Sequence, residues 1–206
     1  MLIIKESDAQ AVEIACQFLQ ADKVISFACD TVYGLAVDAS SQKAVENLYN
    51  LKKRDSKKPV AIFVKDISTA KKIFVFDKKA KEIAQKFLPG MLTLVLKKKV
   101  QNRIKLAQNL NLQHEDFLGF RIIDHDFVTK LVSAFDGILA VTSANLSGQE
   151  AALQAAEVKK YFADSNLDLI IDGGTLMPQK ISTVVKIDNG KIEILRRGAI
   201  DYKNLL

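Results

Sequence analysis

The order of apolar and polar positions divides the chain into segments with a 3.6-residue period and runs with strand character. Residues 8–20 carry Val12, Ala15, Cys16 and Leu19 at helical spacing, with Ser7 or Asp8 placed to cap the first turn. Residues 40–51 repeat the pattern, with Ala44, Leu48 and Leu51 inside and Ser40 or Ser41 as cap. Further helices are predicted over 77–88, where Pro89-Gly90 is a stop signal, over 127–135 and over 151–163. Strand-like runs fall between them at 23–28, 60–64, 91–96, 117–123, 138–142 and 167–172. Val60-Ala-Ile-Phe-Val is apolar without a break, as expected of a strand covered on both faces. After Gly173-Gly174 come two more strands, 182–187 and 191–195, joined by Asp188-Asn189-Gly190, a hairpin turn signal.

Helices and strands alternate over the whole length and a hairpin closes it. That order predicts one α/β domain over residues 1–206, built on a mixed sheet with helices around it. No repeat and no Pro/Gly-rich linker interrupts it. The segment around 97–116 is the least regular and is read as the mobile loop.

Composition narrows the class. With 206 residues, 49% hydrophobic and 26% charged, the chain is neither disordered nor collagen-like, and it is long enough to bury a core without metal or disulfides. Cys16 and Cys29 are too few for a disulfide framework, and Cys16, inside a helical apolar pattern, reads as a small core residue. His114 and His125 are the only histidines, lie in polar stretches without an obvious partner, and give no metal-ligand spacing. The N-terminal Met1-Leu-Ile-Ile-Lys-Glu is too short for a signal peptide, and no apolar run reaches the roughly 18 residues of a membrane span, so a cytoplasmic location without a membrane is expected. Lys+Arg 30 against Asp+Glu 24 leaves a charge of +6, a surplus that fits a nucleotide or a nucleic acid equally.

Four polar segments follow apolar strands. Asp30-Thr-Val-Tyr-Gly34 is either a plain turn or a turn that presents Thr31 to a ligand, with Gly34 permitting close approach. Lys52-Lys-Arg-Asp-Ser-Lys-Lys58 puts five cations in seven positions at a helix end. It reads as a solvated connector or as an anion clamp in which Arg54 supplies a bidentate fork. Thr142-Ser-Ala-Asn-Leu-Ser-Gly148 is a loop whose N–H groups can converge on an anion, or a helix start capped by Ser147. Ser182-Thr-Val-Val and Ile194-Leu-Arg-Arg-Gly198 place Arg196 at a strand end, as a ligand contact or a surface charge. No Walker or Gly-x-Gly-x-x-Gly motif, Ser/His/Asp set or paired-carboxylate pattern occurs. Cations and hydroxyls of this kind bind anions and stabilise charge on a transferring phosphoryl group.

Taken together and in this order, the segments resemble the YrdC/YciO family, from about Lys23 to Ile200. The resemblance rests on Thr31-Val-Tyr-Gly-Leu35, Lys52-Lys-Arg54 with Pro59, Leu88-Pro-Gly-Met-Leu-Thr93, Arg121, Thr142 through Gly148, and Ser182-Thr-Val-Val185 with Arg196-Arg-Gly198. It implies a twisted open mixed sheet with a basic concave cavity. It also implies threonylcarbamoyl-AMP synthase activity: L-threonine, bicarbonate and ATP give threonylcarbamoyl-adenylate and pyrophosphate, and a separate transferase complex uses the product to modify tRNA adenosine. By the same resemblance Lys52 and Arg54 meet carbamate and phosphates, with Lys58 a further basic contact to ATP, and Arg121 and Arg196 meet the ATP phosphates. Ser143 and Asn145 hold the nucleotide or its metal-bound phosphate, Thr31 and Ser182 the threonine, with Tyr33 beside them. Mg²⁺ is expected to enter with ATP, bridging phosphate oxygens rather than sitting in a protein cage. Ala28 and Cys29, Asp55, Phe63, Ala151 and Arg197 depart from the family pattern, and most of them touch the expected substrate pocket. They leave room for a YciO-like paralogue with weak or altered activity. The competing class is a protein that binds double-stranded or ribosomal RNA through the same basic face, with Lys97, Lys98, Lys99, Arg103 and Lys105 taking part.

Overall fold

The computed structural model describes residues 1–55, 58–100, 104–111 and 116–205. Ten strands form one open mixed sheet: β1 (Leu2–Lys5), β2 (Ile25–Ala28), β3 (Tyr33–Asp38), β4 (Ala61–Phe63), β5 (Leu92–Lys97), β6 (Phe117–Arg121), β7 (Leu139–Ser143), β8 (Leu169–Asp172), β9 (Thr183–Asp188) and β10 (Lys191–Arg196). Their order across the sheet is β1-β8-β2-β3-β7-β4-β6-β5-β9-β10. Pairs β1–β8, β2–β8, β4–β6 and β5–β9 are parallel and the rest antiparallel. Six α-helices are described: α1 (Ala11–Gln20), α2 (Gln42–Leu51), α3 (Ile67–Ile73), α4 (Lys78–Phe87), α5 (Asp126–Phe135) and α6 (Ala155–Tyr161). None is long and apolar enough to cross a membrane.

The helices divide unequally between the two faces. Leu35, Val37, Ile62, Leu94, Phe120 and Val185 point to one face and pack on α2, α3, α4 and α6. The alternate positions Ile25, Phe27, Ala36, Leu139, Val141, Leu169 and Ile171 point to the other and pack on α1 and α5. Cys16 lies in that second core, as expected. Two helices cover the sheet only from β8 to about β4. Beyond them, the strands from β4 to β10 keep one face free of helices.

Local signals account for most boundaries. Ser41 caps α2 by accepting the Ala44 N–H at 3.2 Å, and Asp77 caps α4 through the Ala80 N–H at 2.8 Å. Asn189 and Gly190 both take positive φ (49° and 77°), the conformation the two-residue hairpin turn requires. Helix α1 instead begins after Gln10, without a side-chain cap, so neither Ser7 nor Asp8 plays that part. Helix α6 starts at Ala155, not 151, because residues 144–152 are held by other partners: Ala152 N–H donates to Ala144 O and its carbonyl accepts from Tyr33 N–H. Ser147 therefore caps no helix. Three elements carry weak sequence signals: the short edge strand β1, the seven-residue α3, and β3, whose Gly34 reads as a turn.

Parts of the segment 97–116 are described. Lys97 ends β5, Lys98 bridges to Phe74, and Gln108–Leu110 form a 3-10 turn with Leu110 buried. Residues 101–103 and 112–115, which include Arg103 and His114, lie outside the described residues.

Gly198 is packed more tightly than any other glycine. A Cβ there would lie 2.2 Å from the Ile181 carbonyl and 2.6 Å from Ser182 C, both backbone atoms. Gly198→Ala is expected to lower stability by roughly 3 kcal/mol, read as a fall in the urea midpoint at unchanged slope.

Candidate functional site

The bare part of the sheet is the floor of a cavity of about 690 Å³. Strand alternation supplies its lining: Ala61 and Phe63 from β4, Phe117, Gly119 and Arg121 from β6, Thr93 and Val95 from β5, Val184 and Lys186 from β9, and Glu193 and Leu195 from β10. Gly119 keeps the floor low, since a Cβ there would sit 3.2 Å from Thr93 Cγ2. The walls are three connections: the turn at 29–32, the end of α2, and the loop after β7.

The 29–32 turn joins β2 to β3 by a Cys29 N–H to Val32 O hydrogen bond of 3.2 Å. It leaves Thr31 buried against the cavity. Cys29 also borders it, and burial, with the Asp30 carboxylate nearby, pushes its thiol far above the ordinary range. Tyr33 borders the cavity too, but its hydroxyl is committed elsewhere. It donates to Gly174 O at 2.7 Å, lies 3.4 Å from Asp172 Oδ1 and accepts the Gly173 N–H at 3.1 Å. Burial, and next the Asp172 charge, raise the phenol to about 12.

Helix α2 ends in a left-handed residue, Lys53 at φ 49°. Lys53 N–H bonds Asn50 O and Arg54 N–H bonds Tyr49 O, the paired bonds of a Schellman turn. The reversal sends neighbouring cations in different directions. Arg54 borders the cavity; Nη2 donates to Pro59 O at 3.1 Å, and its buried Nε has no partner among the described residues. Burial lowers the pKa of its guanidinium. Lys52 turns inward, 1% exposed, and does not border the cavity. Its Nζ donates to Ser143 O at 2.5 Å and to Asn145 Oδ1 at 2.9 Å. Burial, and then the Arg54 charge, lower it to about 7. Of the two lysines expected to meet the ligand, Lys52 is buried behind the wall and Lys58 is exposed, and neither borders the cavity. Lys57 lies outside the described residues, and the departure at Asp55 is exposed and likewise outside the lining.

The loop after β7 is internally bonded. Ser143 Oγ donates to Asn145 Oδ1 at 2.7 Å, Asn145 Nδ2 to Gln149 O at 2.6 Å, and Ser147 N–H to Lys52 O at 3.2 Å. Ser143, Asn145, Gln149 and Ala151 border the cavity.

At the end of β6 in the floor, Arg121 is 6% exposed and pairs with Asp30 at 2.7 Å. It also donates to Gly90 O at 3.0 Å and lies 5.8 Å from the Phe63 ring centroid. Gln179, from the long β8–β9 connection, donates to the Asp30 carbonyl. Arg196 is exposed and anchored through Nε and Nη2 to Ser182 O (3.1 and 2.9 Å) and Nη2 to Ser182 Oγ (2.8 Å). Ser182 Oγ in turn meets Thr93 Oγ1 at 2.9 Å. Although the residue as a whole is exposed, its guanidinium is partly shielded from water, which with the Arg121 charge lowers its pKa; both arginines border the cavity.

The structure thus brings Thr31, Tyr33, Arg54, Arg121, Ser143, Asn145, Ser182 and Arg196 to one cavity. Sequence reasoning quoted Asp30 and Thr93 within motifs without giving them a part, and missed Gly119 and Lys186. Only the alternation Phe117-x-Gly119-x-Arg121 could have marked the floor in advance. His125 does have a neighbour, Glu6 at 4.0 Å, away from the cavity. No cluster of three His, Cys, Asp or Glu able to hold a metal is present among the described residues.

Comparison defines the class first. A family model described as Sua5_yciO_yrdC, telomere recombination, matches residues 17–198, and the chain belongs to that family. It is 36% identical over 183 residues to the putative threonylcarbamoyl-AMP synthase of Methanocaldococcus jannaschii, covering 89% of this chain and 83% of that protein. It superposes on P. abyssi Sua5 complexed with L-threonine with a TM-score of 0.89 and 26% identity, over 99% of this chain and 59% of the other. E. coli YciO, at 22% identity, shares the fold with a TM-score of 0.85 over 100% of this chain and 97% of that one.

Two outcomes follow from the geometry. Asp30→Ala strands the buried Arg121 charge and is expected to cost about 3 kcal/mol in urea unfolding, while the paired change Asp30→Leu with Arg121→Met costs much less. Asp172, held below its ordinary 3.8 by Lys5 and the Gly174 N–H, stabilises the fold above about pH 4 and loses that contribution as pH falls through its lowered value. Lys5→Ala should flatten the acid limb of the stability curve.

Proposed function

We propose that the protein is a threonylcarbamoyl-AMP synthase, which makes threonylcarbamoyl-adenylate and pyrophosphate from L-threonine, bicarbonate and ATP. One observation carries this reading: in a chain of this family, Arg54, Arg121 and Arg196 converge with Thr31, Ser143, Asn145 and Ser182 on a single cavity. Apart from zwitterionic threonine, the species to be held there are anions, from bicarbonate through carbamate to triphosphate.

The threonine amine adds to the carbon of bicarbonate, water leaves, and a carbamate results. A carbamate oxygen then attacks the α-phosphorus of ATP, and the bond to the bridging oxygen of pyrophosphate breaks. The protein's part is positioning and charge stabilisation. Arg54, with its buried unpartnered Nε, is assigned to the carbamate and the phosphates around the reacting phosphorus. Arg121 and Arg196 border the same cavity and are assigned to the ATP phosphates. Ser143 and Asn145 donate to phosphate oxygens once nucleotide displaces their internal bonds, and Thr31 and Ser182 hold threonine. Magnesium arrives as part of the MgATP substrate; the oxygen-donor, carboxylate-poor lining suits an ion carried by phosphates. The product passes to a transferase that modifies tRNA.

The test is pyrophosphate release. Release is expected to need ATP, bicarbonate and threonine together, and Arg54→Ala should lower kcat/KM on the order of 10²–10³-fold. Release that ignores threonine sinks the reading. RNA affinity that falls steeply with salt, without pyrophosphate, would instead support the nucleic-acid reading.

A further inference from the structure

Lys52 is a full ammonium side chain inside the fold, and among the described residues no carboxylate pairs with it. Its neighbours among the described residues come from α2, the turn after it and the loop after β7. Its own N–H bonds Leu48 O of α2, and nearby Tyr49 spends its phenol on Lys58 O and Leu110 O. From the turn comes Arg54, a second cation. From the loop come Ser143, Asn145, Ser147 and Gln149, none of which titrates near neutrality. Both acceptors of Nζ lie in that loop, and Asn145 Oδ1 also takes the Ser143 hydroxyl. The Lys52 carbonyl receives the Ser147 N–H as well. One residue therefore grips the loop at three points, while the loop's other side forms the cavity wall.

A buried cation beside another cation and without a carboxylate is costly. It becomes favourable only when negative charge arrives nearby. We propose that Lys52 is a positioning residue that never touches substrate: it shapes the Ser143–Gln149 loop through Asn145 and the Ser143 carbonyl, and the anion bound beside Arg54 is what keeps it charged. This rests on the adenylation reading and adds to it a proton taken up when nucleotide binds. The direction follows from burial and then the Arg54 charge, which lower Lys52 to about 7. Above that value the neutral amine prevails, and an adjacent triphosphate raises the pKa and restores the proton. At pH 6 the group is already charged and nothing is gained.

Calorimetry of MgATP binding to the full chain, without threonine or bicarbonate, in two buffers of different ionisation enthalpy reads this directly. Wild type is expected to take up most of a proton at pH 8 and little at pH 6, after subtraction of the nucleotide's own protons. Lys52→Met, of similar length and neutral, should bind more weakly and take up none. Thermal melts confirm that it folds. Should it not fold, Asn145→Ala takes its place, with the expectation that releasing Nζ raises the ammonium's cost and enlarges the uptake at pH 7. For catalysis, Lys52→Met and Asn145→Ala should be strongly non-additive, the double variant losing little more than the worse single one. Wild-type binding without proton uptake, or uptake that survives in Lys52→Met, overturns the role of Lys52 and leaves adenylation standing. Failure of wild type to bind MgATP at all sinks both.

Discussion

Everything at the site follows from an imbalance in how the sheet is covered. A sheet of ten strands is wider than two helices can roof, and α1 and α5 stop near β4. A bare apolar floor would be a liability, because large exposed apolar patches drive association. Here the floor is broken by Thr93, Gly119, Arg121, Lys186 and Glu193, placed at alternate positions so that the opposite face of the same strands stays apolar under α2, α3, α4 and α6. The cavity is the unroofed remainder of the core, furnished with polar groups by a period of two.

Its cations are held in different ways, and the difference matters for chemistry. Arg121 is neutralised by Asp30 and fixed by Gly90, so it contributes direction more than charge. Arg196 is exposed but braced on Ser182. Arg54 has the least support and a buried donor in reserve. Lys52 stands behind the wall. The set resembles a graded electrostatic surface more than a uniform basic patch, which suits a reaction that moves charge from carbamate to pyrophosphate.

The fold was largely legible from periodicity. Helices α2, α4 and α5 and the Asn189-Gly190 hairpin follow from caps, stop signals and turn chemistry that act within a few residues. Strand β3 was not, because Gly34 reads as a turn when its neighbours are unknown. In the structure it is a strand residue kept small by Val141 and Cys29, 3.2 and 3.3 Å from where its Cβ would stand. The site was legible as residue types but not as directions. Lys52 and Arg54 are two positions apart and look equivalent in sequence, yet the left-handed Lys53 between them sends one inward and the other to the cavity.

By itself, then, the chain's local order determined which segments are helices and strands, and that hydroxyls, an amide and arginines follow the strands, since those properties depend on near neighbours alone. The tertiary structure decided that Thr31 and Arg196 share one space, that Asp30 silences Arg121 and that Tyr33 spends its hydroxyl on Gly173 and Gly174. Those outcomes depend on how residues 91 to 165 positions apart are brought together, and on which face of the sheet the helices leave uncovered. No local pattern encodes either.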